Sequence, residues 1–218
     1  MNLIVFGPPG AGKGTQAKRL ELILQLPHVA SGDIFRDIRK LDSPLANEVR
    51  SYMDAGNYVP DELTIKLVLA RLRKPDAMKG FILDGFPRTE PQAEALDSAL
   101  AADGRRLDLA LYINVPDDII TQRLQGRIIC PQCHAIYNVV THPPKQDLTC
   151  DVCGHRLEKR TDETPEVIGT RLEVYEQQTA PLEEYYRKQG ILREVNGDLP
   201  VREVDARVDQ VLGLRGVK

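Results

Sequence analysis

Apolar residues along this chain follow two rhythms. The first is the short unbroken run: NLIVF at 2–6, GFILDGF at 80–86, LALYINV at 109–115 and ILREV at 191–195, each flanked by turn-forming residues. Such runs predict strands buried on both faces of a parallel sheet. The second rhythm repeats every three or four positions. From Lys13 to about Gln25 it carries Ala17, Leu20 and Leu24. DELTIKLVLARL (61–72) opens with an acidic N-cap after Pro60, and TEPQAEALDSALAA (89–102) opens at a Thr with Pro two residues in. PDDIITQRLQGR (116–127) and TPEVIGTRLEVYEQQTAPLEEYYRK (164–188) place Pro at or near the first helical position. Strand and helix alternating in this way predict an α/β fold, a parallel sheet core flanked by helices.

Two segments break the alternation. Residues 30–59 have a helical pattern throughout, with a Ser-Pro break at 43–44 and no strand. Residues 128–163 hold all four cysteines, three of the fifteen prolines and no long apolar helix. Both are expected to be insertions on the α/β core. There is no internal repeat and no low-complexity tract.

Composition narrows the function classes. With 218 residues, 42% apolar and 28% charged, the chain is long enough to bury a sizeable core. A net charge of −3 counts against a general nucleic-acid binder, which is usually basic. No apolar run approaches the roughly 20 residues that cross a bilayer. The opening MNLIVFGPPG has neither a basic stretch ahead of its apolar run nor a cleavage site, so it is expected to be a strand of a cytoplasmic protein.

The first strand leads into GPPGAGKGTQ (7–16). A phosphate-binding loop has the form G-x-x-x-x-G-K-[ST], with the final hydroxyl on Mg²⁺. Gly7 to Lys13 fits, but Gly14 follows the lysine and the hydroxyl of Thr15 comes one residue late. Gly7, Gly10, Gly12 and Gly14 let successive N–H groups turn inward on phosphate oxygens, and Lys13 adds charge where a helix presents its positive end. An ordinary glycine-rich turn would not need the lysine there. Asp84, ending the strand FILD, stands where a carboxylate can address the hydration shell of a magnesium ion.

Cys130-x₂-Cys133 and Cys150-x₂-Cys153, sixteen residues apart, have the spacing of a four-thiolate zinc site. Four thiolates close the tetrahedron, so such a metal is structural and holds a segment with little core of its own. Two disulfides are the alternative, disfavoured in a cytoplasmic chain. His134 and His155 could each replace a thiolate, but are expected to be exposed loop residues.

Taken together, GPPGAGKGTQ, SGDIFRD (31–37), LDGFPRT (83–89) with Gln92, and Arg160-x-Asp162 followed by Arg171 resemble the adenylate kinase family, over nearly the whole chain. The resemblance is to its long-LID, zinc-binding bacterial type. It implies a P-loop core (1–29, 60–126 and 164–218), a helical monophosphate-binding insertion (30–59) and a zinc-bearing LID (127–163). It also implies the reaction ATP + AMP ⇌ 2 ADP with Mg²⁺, in a monomer without nucleic-acid or membrane partners. In this family glycine is expected at position 14. The metal would be held by phosphate oxygens and by waters that Asp84 and Asp33 order, and Thr15 would contact phosphate.

On the ATP side the resemblance implies Gly10, Ala11, Gly12, Lys13, Gly14, Thr15, Arg123, Arg127 and Leu199, with Ile136 and Tyr137 over the donor adenine. Arg123 and Arg127 lie four apart, on one helix face. On the AMP side it implies Ser31, Arg36, Asn57, Tyr58, Val59, Gly85, Phe86, Pro87, Arg88 and Gln92, whose amide would read adenine. Arg160 and Arg171 would bridge both nucleotides. The catalytic set is then Lys13, Asp84, Arg88, Arg123, Arg160 and Arg171. Two positions depart from the commoner pattern: Ser31 stands for threonine and loses a methyl contact, and Glu163 stands for the second of two aspartates after Arg160. Two other readings remain open: a kinase of UMP or CMP, which Gln92 and the long LID oppose, and a P-loop ATPase gripping nucleic acid with a zinc ribbon, which the few aromatics and mixed charge of 127–163 oppose.

Overall fold

A computed structural model describes residues 1–160 and 164–214. Its centre is a sheet of five parallel strands: β1 (Asn2–Phe6), β2 (His28–Ala30), β3 (Phe81–Asp84), β4 (Leu109–Asn114) and β7 (Leu192–Asn196), in the order β2-β3-β1-β4-β7. Side chains alternate across the sheet, and both faces are covered. Leu3 and Val5 point to Ala17 and Leu20 of α1 (Lys13–Leu24) and to Val204 and Val208 of α9 (Val201–Leu212). Ile4 and Phe6 point the other way, to Val68 of α4 (Asp61–Leu72), Leu96 of α5 (Glu90–Ala102) and Tyr186 of α8 (Leu182–Lys188). Two-sided burial is why β1 is apolar at every position rather than at every second one.

Chain order places the cleft. β1 has β3 on one side and β4 on the other: the chain leaves it toward β2 and β3 and later crosses past it to β4 and β7, so the loop after Phe6 lies at that switch point on the carboxyl edge. Asp84, paired in register with Val5 and Ala30, ends on the same edge. Gly7 can occupy its place only because it has no side chain: its φ is 140°, and a Cβ would stand 2.3 Å from the Ile113 carbonyl oxygen of β4.

The two segments outside the alternation pack differently. α2 (Ser31–Ile38) and α3 (Pro44–Asp54) keep the Ser-Pro break, where Ser43 caps α3 by accepting from Ala46 N–H at 3.2 Å. Phe35, Val49, Met53 and Val59 form a local apolar cluster there. After α6 (Asp117–Gln125) comes an antiparallel pair, β5 (Arg127–Ile129) and β6 (Ile136–Asn138), whose small core is Ile128, Tyr137, Leu157, Cys130 and Cys150.

Four features differ from the sequence expectation. The helix expected over 116–127 ends at Gln125, with Gly126 as its C-cap, and Arg127 is the first residue of β5, so Arg123 and Arg127 do not share a helix face. β2 adds a fifth strand to the four expected, three residues long and too short for any periodicity. The helix expected over 164–188 is broken into α7 (Pro165–Val174), a π-helical turn (Tyr175–Thr179) and α8. Pro181 is the physical reason: its ring clashes with the carbonyl four residues back. The chain widens instead, and Ala180 N–H bonds to the Tyr175 oxygen five residues back. Finally, α9 was not expected, although Pro200 precedes it and Gly213, at φ 66°, ends it.

Candidate active site

The phosphate-type loop runs from Gly7 into α1, whose first residue is Lys13 and whose N-cap, Gly12, has φ 95°. The Lys13 ammonium is curled over the loop, donating to the carbonyl oxygens of Gly7 at 2.9 Å and Pro8 at 2.8 Å. Burial is the main force on it, opposed by the Asp84 charge and reinforced by Arg88, Arg127 and Arg171. The result is a pKa lowered to about 7. Asp84 shows the converse. Burial works to raise its pKa, yet the His28 hydrogen bond at 3.3 Å and the charges of His28, Lys13 and Arg88 hold the carboxyl below its usual range. His28 reaches it from β2, the strand that sequence periodicity did not reveal.

These groups border a cleft of about 510 Å³. Among the described residues, seven lysine and arginine side chains line it, Lys13, Arg36, Arg88, Arg123, Arg127, Arg160 and Arg171, against one carboxylate, Asp84. The whole chain has more acids than bases, 32 against 29, so the cleft inverts the balance of the molecule. Such a concentration of guanidinium groups is suited to an oligophosphate. Gly14 matters for space: a Cβ there would lie 3.0 Å from Ile136 Cδ1 and 3.2 Å from Asp84 Oδ2. The usual hydroxyl residue would intrude between acid and loop, while Thr15, one position on, also lines the cleft.

Every residue expected on the ATP side borders this cleft: Gly10, Ala11, Gly12, Gly14, Thr15, Arg123, Arg127, Ile136, Tyr137 and Leu199 beside Lys13. Arg123 is oriented by donating to the Gly197 oxygen at 2.9 Å. On the expected AMP side, Arg36, Tyr58, Gly85, Pro87, Arg88, Arg160 and Arg171 border it, whereas Ser31, Asn57, Val59, Phe86 and Gln92 do not. Val59 and Phe86 are core residues, and Asn57 is exposed. Ser31 is buried, its hydroxyl donating to the Gly85 oxygen at 2.5 Å.

Gln92 is also buried. Its Oε1 accepts Arg88 N–H at 2.8 Å and its Nε2 donates to Asp61 at 2.6 Å, leaving one amide hydrogen and one lone pair. Asp33 pairs with Arg36 and does not line the cleft. Asp162 and Glu163 lie outside the described residues. Sequence reasoning missed Asp61, whose only signal was its place at the start of α4. It also missed Tyr175 and Thr179, which the π turn brings to the cleft, and Gly197 at the carboxyl end of β7.

The cysteines converge in a second site. None is disulfide-bonded, and all four Sγ atoms lie within 4.8 Å of one another. Separations of 3.4 Å (Cys130–Cys153) and 3.5 Å (Cys133–Cys150, Cys133–Cys153) are far beyond a ~2.05 Å disulfide. They approach the ~3.8 Å edge that Zn–S bonds of ~2.3 Å imply for a tetrahedron. Two matching turns build the cluster. His134 N–H bonds the Cys130 oxygen at 3.0 Å, and Gly154 N–H bonds the Cys150 oxygen at 2.9 Å. Gly154 has φ 73°; His134 takes φ 56°, a conformation costly for any residue with a Cβ. His155 is exposed as expected, but His134 is half-buried, with Nδ1 3.8 Å from Asp33.

Comparison with known proteins agrees in family. A family model described as adenylate kinase matches residues 5–191. An adenylate kinase of Moorella thermoacetica is 47% identical over 213 residues, covering 98% of both chains. One from Lachnospira eligens is 46% identical, covering 98% of this chain and 100% of its own. One from Clostridium botulinum (strain Loch Maree) is 48% identical, covering 98% and 99%.

Proposed function

This chain belongs to the adenylate kinase family, and from that premise we propose that it catalyses ATP + AMP ⇌ 2 ADP through the cleft at the carboxyl edge of its sheet. The observation that carries the reading is that, among the described residues, seven lysine and arginine side chains line one cleft with a single carboxylate, at the loop that starts α1. In the reaction the bond from the γ-phosphorus to the β–γ bridging oxygen breaks, and one forms from the AMP phosphate oxygen to that phosphorus. No side-chain base is required, because a phosphate monoester with second pKa near ~6 is largely ionised at neutral pH. Positioning and charge stabilisation supply the rate.

In this proposal the 7–15 loop and Lys13 hold the donor phosphates, Arg123 and Arg127 flank them, Arg36 and Arg88 take the monophosphate, and Arg160 and Arg171 serve the group in transfer. Mg²⁺, bound with ATP, would offset phosphate charge, and Asp84 fits the role of ordering its waters: it is the one acid of the cleft among the described residues, kept ionised, with room left by Gly14. We assign residues 30–59 and 127–163 as the closing segments that exclude water. We also assign zinc to the four cysteines, because four sulfurs with no open position suit a structural ion. The proposal has the protein acting as a cytoplasmic monomer with nucleotides as its partners. No described helix is long and apolar enough to cross a membrane.

The test is diphosphate production from ATP-Mg²⁺ with AMP, UMP, CMP or GMP in turn. Turnover confined to AMP is expected. Preference for another monophosphate would overturn the role given to Gln92. ATP hydrolysis without transfer would overturn the proposal.

A further inference from the structure

Arg88 is held from several sides at once. Its Nε donates to the Gly85 oxygen at 2.7 Å, and its backbone N–H is taken by Gln92. Two further contacts come from residues that neither flank it in sequence nor share an element with it. The guanidinium carbon lies 4.8 Å from the centroid of the Tyr58 ring, a cation–π arrangement. The Arg88 carbonyl oxygen accepts from the Thr179 hydroxyl at 2.8 Å, and the same hydroxyl oxygen lies 2.8 Å from the Tyr58 hydroxyl.

Donor counting gives this chain a direction. A carbonyl only accepts, so Thr179 spends its single hydrogen on Arg88. Its oxygen is therefore the acceptor in the second bond, and Tyr58 is the donor. The relay runs Tyr58 O–H to Thr179 Oγ1, then Thr179 O–H to the Arg88 oxygen. It is enclosed: Thr179 is 4% exposed, so water does not compete freely for either bond. Its members come from three places. Tyr58 lies just before α4, at the end of the segment that carries α2 and α3; Arg88 follows β3; Thr179 closes the π-helical turn. That turn has a consequence beyond accommodating Pro181, since it faces both Tyr175 and Thr179 to the cleft.

We propose that Tyr58 and Thr179 are positioning residues for Arg88, fixing its backbone by a directed hydrogen-bond relay and its guanidinium by a ring beneath the cation, so that the cation is held for the acceptor phosphate. The proposal rests on reading Arg88 as a monophosphate-binding residue. It extends that reading to two side chains, and gives the π turn a role on the acceptor side of the reaction.

Steady-state kinetics with each substrate varied separately test it, on Tyr58→Phe, Thr179→Val, Thr179→Ser and the double variant Tyr58→Phe/Thr179→Val, with Arg88→Lys as reference. Tyr58→Phe keeps the ring and removes the donor. Loss of one such bond is expected to raise KM for AMP about two- to tenfold with KM for ATP unchanged. Thr179→Val is expected to do the same, Thr179→Ser to restore it, and the double variant to be no worse than Thr179→Val alone, because both break one relay. Equal rises in both KM values would make the effect structural and overturn the proposal. So would a KM for AMP unmoved in Tyr58→Phe and Thr179→Val while Arg88→Lys raises it, which leaves the reading of Arg88 standing. An Arg88→Lys variant with unchanged KM for AMP and unchanged kcat would remove that reading and the relay's purpose together.

Discussion

The sheet and the cysteine-bearing segment reach rigidity by different physics. Around the sheet, two continuous layers of Leu, Ile, Val and Phe are wholly or nearly buried on either face of β1, β3 and β4. Among the described residues, the segment just beyond α6 buries Ile128, Tyr137 and Leu157 beside two cysteines, with Ala135 and Leu148 partly buried against them. Below ~40 residues a chain cannot remove enough apolar surface from water to hold itself together, and cross-links or metals take over. Tyr137 marks the transition: it belongs to the small core, yet its hydroxyl lies 3.6 Å from Cys150 Sγ and accepts Asp151 N–H at 2.8 Å. A single chain can thus carry a solvent-driven core and a donor-atom core side by side.

The contrast can be broken at its functional end first. Lys13→Ala should lower turnover by about 10²–10³-fold or more, measured by coupled assay. Its melting temperature should not fall, because the lysine bonds only to loop carbonyls and its burial opposes its charge. Loss of activity through unfolding would refute this. Next in size is Leu83→Ala, in the centre of β3 and 0% exposed, which should cost about 2–5 kcal/mol in denaturant unfolding. Hydrogen exchange of the β5 and β6 amides by local opening should stay unchanged.

Chelation should act in the opposite sense. Removing bound metal should expose the β5 and β6 amides to exchange before those of β1, β3 and β4. Simultaneous exposure of both sets would show one cooperative unit and abolish the distinction.

A smaller effect comes from protons. With the Lys13 pKa lowered from 10.5 to about 7, the unfolded chain binds more protons than the native one between those values. This group therefore makes stability rise with pH across that window, and below about 7 both states are protonated. Phosphate favours the ammonium, so ATP binding at pH 8 should take up a fraction of a proton. Calorimetry in buffers of different ionisation enthalpy measures it, and Lys13→Met should abolish it. Smallest of all, Leu22→Ala on α1, where the side chain is 79% exposed, should change stability by no more than about 0.5 kcal/mol.

What could be read in advance follows the range of the interactions. NLIVF, FILD and LALYIN announced strands because complete burial leaves its mark on every residue of a run. Lys13 and the four cysteines were legible for another reason: a helix terminus or a tetrahedral donor set restricts residues only a few positions apart. β2 was not legible, since three residues carry no period, and with it went His28 as the partner of Asp84. The break inside 164–188 was written in Pro181, but a proline does not say which way the chain will yield. Gln92 shows the limit within a correct motif. Its identity was plain, while its bonds to Arg88 and Asp61 depend on how α4 and α5 pack.

The amino-acid sequence by itself determined the α/β alternation, the loop with its displaced hydroxyl, the paired Cys-x₂-Cys and the family. Each of these is encoded by neighbours along the chain, through periodicity, backbone freedom or ligand spacing. Only the tertiary structure decided that, among the described residues, seven lysines and arginines from separate elements line one cleft with a single acid, that Gly14 faces Asp84 and Ile136, and that a π turn brings Thr179 between Tyr58 and Arg88. Those are contacts between residues as far apart as Tyr58 and Thr179, 121 positions along the chain. Their energies exist only after the chain entropy of bringing such distant positions together has been overcome by burial elsewhere in the fold.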